Sequence, residues 1–163
     1  MRRQLKSLVL PIVVVLVVPF LLLFDFRHPS LKVLLPCPAA QAAVGAGFCV
    51  TGLLLLARTI FLFARRGRGT LAPWDPPARL VVEGPYAYMR NPMISGVALA
   101  LLGEAALFGS ISVLLWSGLV VAANTVYFKL SEEPGLAKRF GSEYAEYRRH
   151  VPMWIPRIRP WRR

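Results

Sequence analysis

The stretch "PMISGVALALLGEAALFGSISVLLWSGLVVAANTVYFKL" (residues 92–130) contains two apolar runs that are separated by only two small residues. Each run is close to the length that a helix needs to cross a lipid bilayer. The intervening "GS" leaves room only for a tight connection. We therefore predict an antiparallel hairpin of two membrane helices, at about residues 92–108 and 111–130.

Two more apolar runs precede this hairpin, at about residues 8–24 and 39–64. The first carries two prolines, which a membrane helix tolerates, and "DFRHP" follows it instead of a small-x-small cleavage site, so we expect a retained helix. The second carries Arg58 near its far end, where the side chain can extend toward water. The predicted fold class is all-α: one domain of residues 1–163, an integral membrane bundle of about four transmembrane helices with a cytoplasmic helical tail (131–163).

Composition supports a membrane protein. The chain has 163 residues, of which 56% are hydrophobic and 17% are charged, and its mean hydropathy is +0.52. The net charge of +12 is concentrated at the ends of the apolar runs, as the positive-inside rule and anionic headgroups require. No soluble element presents a basic face, so we do not expect nucleic acid as a partner. Cys37 and Cys49 are too few for a disulfide framework, and no metal site is predicted.

The distribution of Lys and Arg predicts the orientation. Basic residues are frequent at the N-terminus, in the 65–91 connection and in the tail, whereas the hairpin tip has none. Both termini and the 65–91 connection should therefore be cytoplasmic. The usage of Ala, Leu, Arg and Pro suggests a bacterial inner membrane as the location.

A specific motif, "GPYAYMRNPMISG" (residues 84–96), stands at the cytoplasmic start of the third span. Asn91 is a favoured N-cap and Pro92 a favoured first helical residue, so a helix should begin here with its unpaired N–H groups facing the cytoplasm. Such an end attracts acceptor groups, and Arg90 can add a forked cationic donor. The alternative is a well-capped membrane helix whose arginine contacts lipid phosphate. Small residues on one face of this helix should allow another backbone or a flat ligand to approach: Gly96, Ala100 and Gly103.

Two adjacent acids, Glu132 and Glu133, follow the fourth span in a region of positive charge. They can pair with nearby arginines, or a carboxylate there can accept hydrogen bonds from a ribose diol or hold a cationic group. Beyond them we predict a short helix at about 132–140, a break at Gly141, and a second helix that Ser142 caps and Pro152 ends.

Glu104 lies inside the third span. An intramembrane acid suggests function by default. We expect instead a bond across the hairpin to one of three neighbours and place Glu104 outside the site; the candidates are Ser110, Ser112 and Trp116.

The opening motif and the tail together resemble a known family: the isoprenylcysteine carboxyl methyltransferases and their phospholipid methyltransferase relatives, small integral-membrane enzymes that use S-adenosylmethionine. Their pattern "G-x-Y-x-x-x-R-H-P-x-Y-x-G" corresponds to "GPYAYMRNPMISG". Their later pattern "E-E-x-x-L-x-x-x-F-G-x-x-Y-x-x-Y-x-x-x-V-P" is matched at every fixed position by "EEPGLAKRFGSEYAEYRRHVP" (residues 132–152). The resemblance covers about residues 65–156, and the first two spans match only as generic membrane helices.

The resemblance implies roles for individual residues. S-adenosylmethionine would be the cofactor, and Arg90 and Glu133 would orient the methyl acceptor or close the site. The implied cofactor-binding residues are Leu80, Val81, Tyr86, Asn91, Pro92, Met93, Ile94 and Glu132.

Three positions depart from the family pattern: Asn91 replaces His, Ile94 replaces Tyr, and Phe128 lies near the position of a substrate-contacting Arg in eukaryotic members. The function implied is transfer of a methyl group to a small lipophilic or lipid-linked acceptor at the cytoplasmic leaflet. The acceptor can be a carboxylate, an amine headgroup or a thiol. The alternative hypothesis is a non-catalytic helical bundle, a subunit or lipid-binding scaffold, that retains the family architecture.

Overall fold

The computed structural model describes residues 9–24, 37–62, 65 and 79–161. Within these residues the chain is helical, with short irregular segments and no strand, so the predicted all-α fold class is confirmed. The predictions for Leu8, for the end of the second span at 63–64 and for the Gly- and Pro-rich part of the 65–91 connection lie outside the described residues.

Five helices account for the described bundle and tail. They are α1 (Val9–Phe24), α2 (Pro38–Leu62), α3 (Pro92–Phe108), α4 (Ile111–Tyr127) and α5 (Glu133–His150). A π-helical stretch, Val13–Val17, interrupts α1, and a 3₁₀ turn, Gly84–Ala87, precedes α3. A second π-helical stretch, Phe128–Glu132, joins α4 to α5.

Two described helices are long and apolar enough to cross a membrane: α2 and the continuous helix Ile111–His150. The helices α1 and α3 are apolar but shorter. With 17 residues, α3 rises about 25 Å, near the lower limit for crossing the hydrocarbon core. Large apolar side chains point outward, as in Leu54 and Leu115 with 66% and 68% exposure. Water would penalise such a surface and lipid accommodates it, so the bundle is that of a membrane protein.

The helices α3 and α4 form the predicted hairpin. Gly109 ends α3 with a φ of 58° in the left-handed region, which a glycine adopts without steric cost. Ser110 then begins α4, and its side-chain oxygen accepts a hydrogen bond from the Val113 N–H at 3.3 Å. These two residues make the reversal possible without a longer loop.

The helices α2 and α3 pack with their backbones nearly in contact. A Cβ placed on Gly52 would lie 2.5 Å from the Ala100 nitrogen, and one placed on Gly96 would lie 2.9 Å from the Gly52 oxygen. Further along, a Cβ on Gly103 would lie 2.6 Å from the Cys49 nitrogen. The small residues of the third span therefore accommodate another helix backbone rather than a flat ligand.

The connection between the fourth span and the tail differs from the prediction of a span that ends near residue 130. The helix continues through the π-helical stretch into α5 without a loop, and the first residue with non-helical backbone angles is Gly141. Gly141 breaks α5, as predicted, with φ 52° and ψ −125°. The helix ends at His150, and Val151 is extended, the conformation that a following proline favours.

Candidate active site

The start of α3 is only partly as predicted. Pro92 occupies the first helical position, and Asn91 occupies the N-cap position, but the Asn91 side chain makes no capping hydrogen bond. The prediction that its side chain caps the helix is wrong. Asn91 has a ψ of 55°, outside the extended region that capping residues usually adopt. Its backbone is used instead: the Asn91 carbonyl accepts from both the Ser95 N–H and the Ser95 hydroxyl.

The segment after α5 folds back over residues 87–91. The Arg90 and Asn91 N–H groups donate to the carbonyls of Pro152 and Met153, at 2.9 and 3.2 Å. In the other direction, two N–H groups of the tail donate to the carbonyls of Tyr88 and Ala87, at 3.0 and 2.9 Å; the donors are Arg157 and Trp161. These four main-chain bonds fix the tail against the segment that leads into α3. The sequence patterns did not indicate this contact.

Arg90 and Glu133 contact each other in an ion pair that connects the two motifs. The pair is buried, with 11% and 7% of the side chains exposed. The Arg90 Nε–H also donates to the Val151 carbonyl at 2.9 Å, and the second Glu133 oxygen lies 3.4 Å from a guanidinium nitrogen of Arg148. Because both carboxylate oxygens face arginines, Glu133 is satisfied within the protein.

Tyr86 lies between Glu132 and the tail residue Tyr147. Its carbonyl accepts a hydrogen bond from the Tyr147 hydroxyl at 2.8 Å. Burial raises the pKa of the Tyr86 phenol, and the nearby Glu132 carboxylate raises it further. Glu132 itself is exposed as a residue, yet enough protein surrounds its carboxyl group for lost solvation to raise its pKa. Tyr86 and Glu132 are therefore close enough for the carboxylate to disfavour ionisation of the phenol.

The remaining predicted cofactor residues are divided between two environments. Leu80 packs against the buried tail cluster of Tyr144, Tyr147 and Val151. Met93 packs instead against the core between the membrane helices. Val81 and Pro92 are buried, and Ile94 is partly exposed. Within the described residues, none of these three makes a contact that indicates a ligand. The structure thus brings Tyr86, Arg90, Glu132 and Glu133 together, whereas Met93 belongs to the core between the membrane helices.

Glu104 does not make the contact with Trp116 that was considered. The Trp116 indole donates to the Val14 carbonyl of α1 at 3.0 Å, because α1 packs against α4 at this level. One carboxyl oxygen of Glu104, Oε2, is buried and has no hydrogen-bond partner among the described residues. The prediction of Trp116 as a possible partner of Glu104 is therefore wrong. Glu104 lies well inside α3, away from the start of that helix, where Arg90 and Glu133 meet.

These features define an all-helical membrane protein with a polar cluster where the start of one membrane helix meets the end of another. Residues 40–143, well over half of the chain, match the phospholipid methyltransferase family, and the chain belongs to that family. The match covers α2 from residue 40 onward, although we expected the second span to match only as a generic membrane helix.

A curated relative is the protein-S-isoprenylcysteine O-methyltransferase of Schizosaccharomyces pombe. The two sequences are 40% identical over 80 residues, which is 48% of this chain and 34% of the relative. The chain thus aligns with about a third of that protein's length. The relationship to this family confirms the resemblance found in the two motifs.

Proposed function

We propose that this protein is a membrane-embedded S-adenosylmethionine-dependent methyltransferase that acts on a small lipophilic or lipid-linked acceptor at the cytoplasmic leaflet. One observation carries the proposal: Arg90 at the start of α3 contacts Glu133 at the start of α5, which joins the two motifs in a single polar cluster. The family supports methyl transfer as the reaction class.

The chemistry of the cluster fits the proposed cofactor. Glu132 is exposed as a residue, and its carboxylate can accept two hydrogen bonds from a ribose diol. Tyr86, beside it, offers a half-buried ring as a wall. Leu80 and Val81 supply apolar surface for the adenine. The start of α3, residues 91–94, would complete the pocket with helix N–H groups and apolar side chains. When bound, S-adenosylmethionine supplies an electrophilic methyl group on a positively charged sulfur.

Methyl transfer requires alignment and exclusion of water more than acid–base groups. Accordingly, we assign Arg90 and Glu133 to closing and positioning the site. Their buried pair holds the start of α5 against the start of α3, and Glu132 precedes Glu133 directly. The pair thereby fixes the distance between Glu132 and Tyr86. Neither residue needs to donate or accept a proton during the transfer.

The acceptor would reach the site from the lipid side, and the cofactor from the cytoplasm. The relative's name describes O-methylation of an isoprenylcysteine protein, and the family name describes phospholipids. A carboxylate, an amine headgroup and a thiol therefore all remain candidate acceptors. The basic ends of the apolar spans support an orientation with both termini in the cytoplasm, and we propose a bacterial inner membrane as the location.

Titration of the purified, detergent-solubilised protein with S-adenosylmethionine by calorimetry tests this function. We expect saturable binding by the parent and loss of at least about tenfold in affinity for Glu132→Ala, because ribose hydrogen bonds to a charged acceptor are removed. The matched control is Glu146→Ala, which removes an exposed acid of α5 outside the cluster.

Two outcomes decide against the proposal. A parent without detectable binding overturns the enzyme hypothesis and favours the alternative, a non-catalytic bundle, which the departures at Asn91 and Ile94 support. Equal losses in both variants overturn the assignment of Glu132.

Where binding is found, incubation of the protein with labelled cofactor and a membrane lipid extract shows which acceptor receives the methyl group.

A further inference from the structure

A cavity of about 1030 Å³ lies beside the polar cluster and is separate from it. Its walls come from the cytoplasmic part of α2, from residues 80–89 and from the returning tail. Among the predicted cofactor residues only Leu80 lines it, and the four residues of the polar cluster do not. The proposed methyl-transfer site and this cavity therefore share Leu80 but are otherwise lined by different residues.

The cavity reaches from the membrane level to the cytoplasmic tail. Leu55, on its wall, precedes the end of α2 at Leu62 by about two helical turns, which corresponds to about 10 Å along the helix. At the other end the tail contributes Pro156, Pro160 and Trp161. An indole at this level is typical of the membrane interface. The cavity can thus take a molecule that is apolar at one end and in contact with water at the other.

One cationic side chain of the lining has no partner within the described part of the chain. Arg58 is exposed, and no described acidic residue forms an ion pair with it. The other charged residue of the lining, Glu83, already has an interaction within the chain. The cavity therefore offers a positive charge beside apolar walls, and basic pockets between membrane helices bind anionic lipid headgroups.

We propose that this cavity binds an anionic phospholipid, with its phosphate at Arg58 and its acyl chain along Leu55 and the apolar walls. The bound lipid is not the methyl acceptor, because the residues of the polar cluster do not line the cavity. It contacts Gly84, Pro85 and residues 87–89, which flank Tyr86. Binding of this lipid does not depend on the proposed catalytic activity.

Photolabelling tests the lipid site in the full-length protein without cofactor. The probes are phosphatidylglycerol and phosphatidylcholine with the same diazirine-bearing acyl chain, and mass spectrometry locates the label. We expect phosphatidylglycerol to label peptides that contain residues 55–62 and 80–89 about fivefold more than phosphatidylcholine, a preference of the size that one partly exposed ion pair provides.

Three variants identify the charge. In Arg58→Gln the two probes should label the protein about equally. Arg58→Lys should retain most of the preference for phosphatidylglycerol, because the charge and not the shape of the side chain selects the lipid. Arg149→Gln removes an exposed arginine outside the cavity and should change nothing. Equal labelling by both probes in the parent, a preference that survives in Arg58→Gln, or label spread evenly over the lipid-facing helices overturns the proposal. Failure to bind S-adenosylmethionine in the calorimetric test would leave this result unchanged.

Discussion

Glu132 and Glu133 are adjacent in the sequence but have different environments. Glu133 is 5% exposed and lies between Arg90 and Arg148, whereas Glu132 is exposed and interacts with Tyr86. The Glu133 carboxylate is paired with arginines of the protein, whereas the Glu132 carboxylate is available to a ligand. Replacing each acid should therefore have a different effect.

Replacing Glu133 should destabilise the protein. Glu133→Gln leaves the Arg90 guanidinium buried without its counter-charge, and we expect a loss of about 3 kcal/mol in the free energy of unfolding. Denaturant titration in detergent measures it. Arg148→Gln is the control, because Arg148 has a 56% exposed side chain. The loss of such an exposed partner should cost under about 1 kcal/mol. A fully stable Glu133→Gln protein would contradict the assigned positioning role.

The pH dependence of cofactor affinity should report Glu132. Its pKa is raised by lost solvation, and under the proposed function the ionised carboxylate would be the form that accepts the ribose hydrogen bonds. Affinity should therefore be complete above the raised pKa and fall as the pH decreases through it, at higher pH than an ordinary glutamate would give. Calorimetric titration across pH measures this. In Glu132→Gln the acid-side decline should disappear, and an unchanged decline would exclude Glu132 as its source.

At the scale of the elements, the sequence predicted the hairpin well and the link into the tail poorly. The bounds of α3 and the start of α4 followed from Pro92, Gly109 and Ser110, whose chemistry is local. The continuous passage through Phe128–Glu132 was not predictable, because a π-helical stretch has no comparable residue signature.

The contact between α2 and α3 predicts a strong effect of a single methyl group. The Cβ that Gly52→Ala adds would lie 2.5 Å from a backbone nitrogen, which cannot move alone. We expect this overpacking to destabilise the protein by about 2 kcal/mol. Gly47→Ala is the matched control on the same helix, since no atom of the described part of the chain lies within 4 Å of its added Cβ. Thermal unfolding in detergent compares the two. Similar unfolding temperatures for both variants would show that the helices can separate at little cost.

The kink in α5 predicts a second glycine effect, of a different kind. Gly141 has φ 52° and ψ −125°, and no atom in residues 9–24, 37–62, 65 and 79–161 would clash with an added Cβ. Only glycine adopts this region readily, so Gly141→Ala should cost about 1–2 kcal/mol in the free energy of unfolding through the backbone alone. Since Tyr144 and Tyr147 follow the kink, cofactor affinity measured by calorimetry should also fall. Gly135→Ala, before the kink, should be neutral or slightly stabilising, and equal effects would contradict the argument.

At the scale of the whole molecule, the apolar runs and the basic blocks between them were sufficient for the fold class. Both motifs were visible in the sequence, and the Arg90–Glu133 contact brings them together. The return of the tail could not be predicted from the sequence. Its contacts with residues 87–91 are main-chain hydrogen bonds, which do not depend on the identity of the side chains. The partner of Trp116 was missed for a related reason: it is the Val14 carbonyl on a distant helix.

The return of residues 152–161 has a consequence for biosynthesis. A ribosome produces this segment after all five described helices, so these helices can enter the bilayer and pair before the segment at 87–91 receives its final support. Membrane insertion and completion of the polar cluster are thus separate events in time, and an interrupted nascent chain can be correctly inserted while residues 87–91 still lack the main-chain hydrogen bonds of the tail.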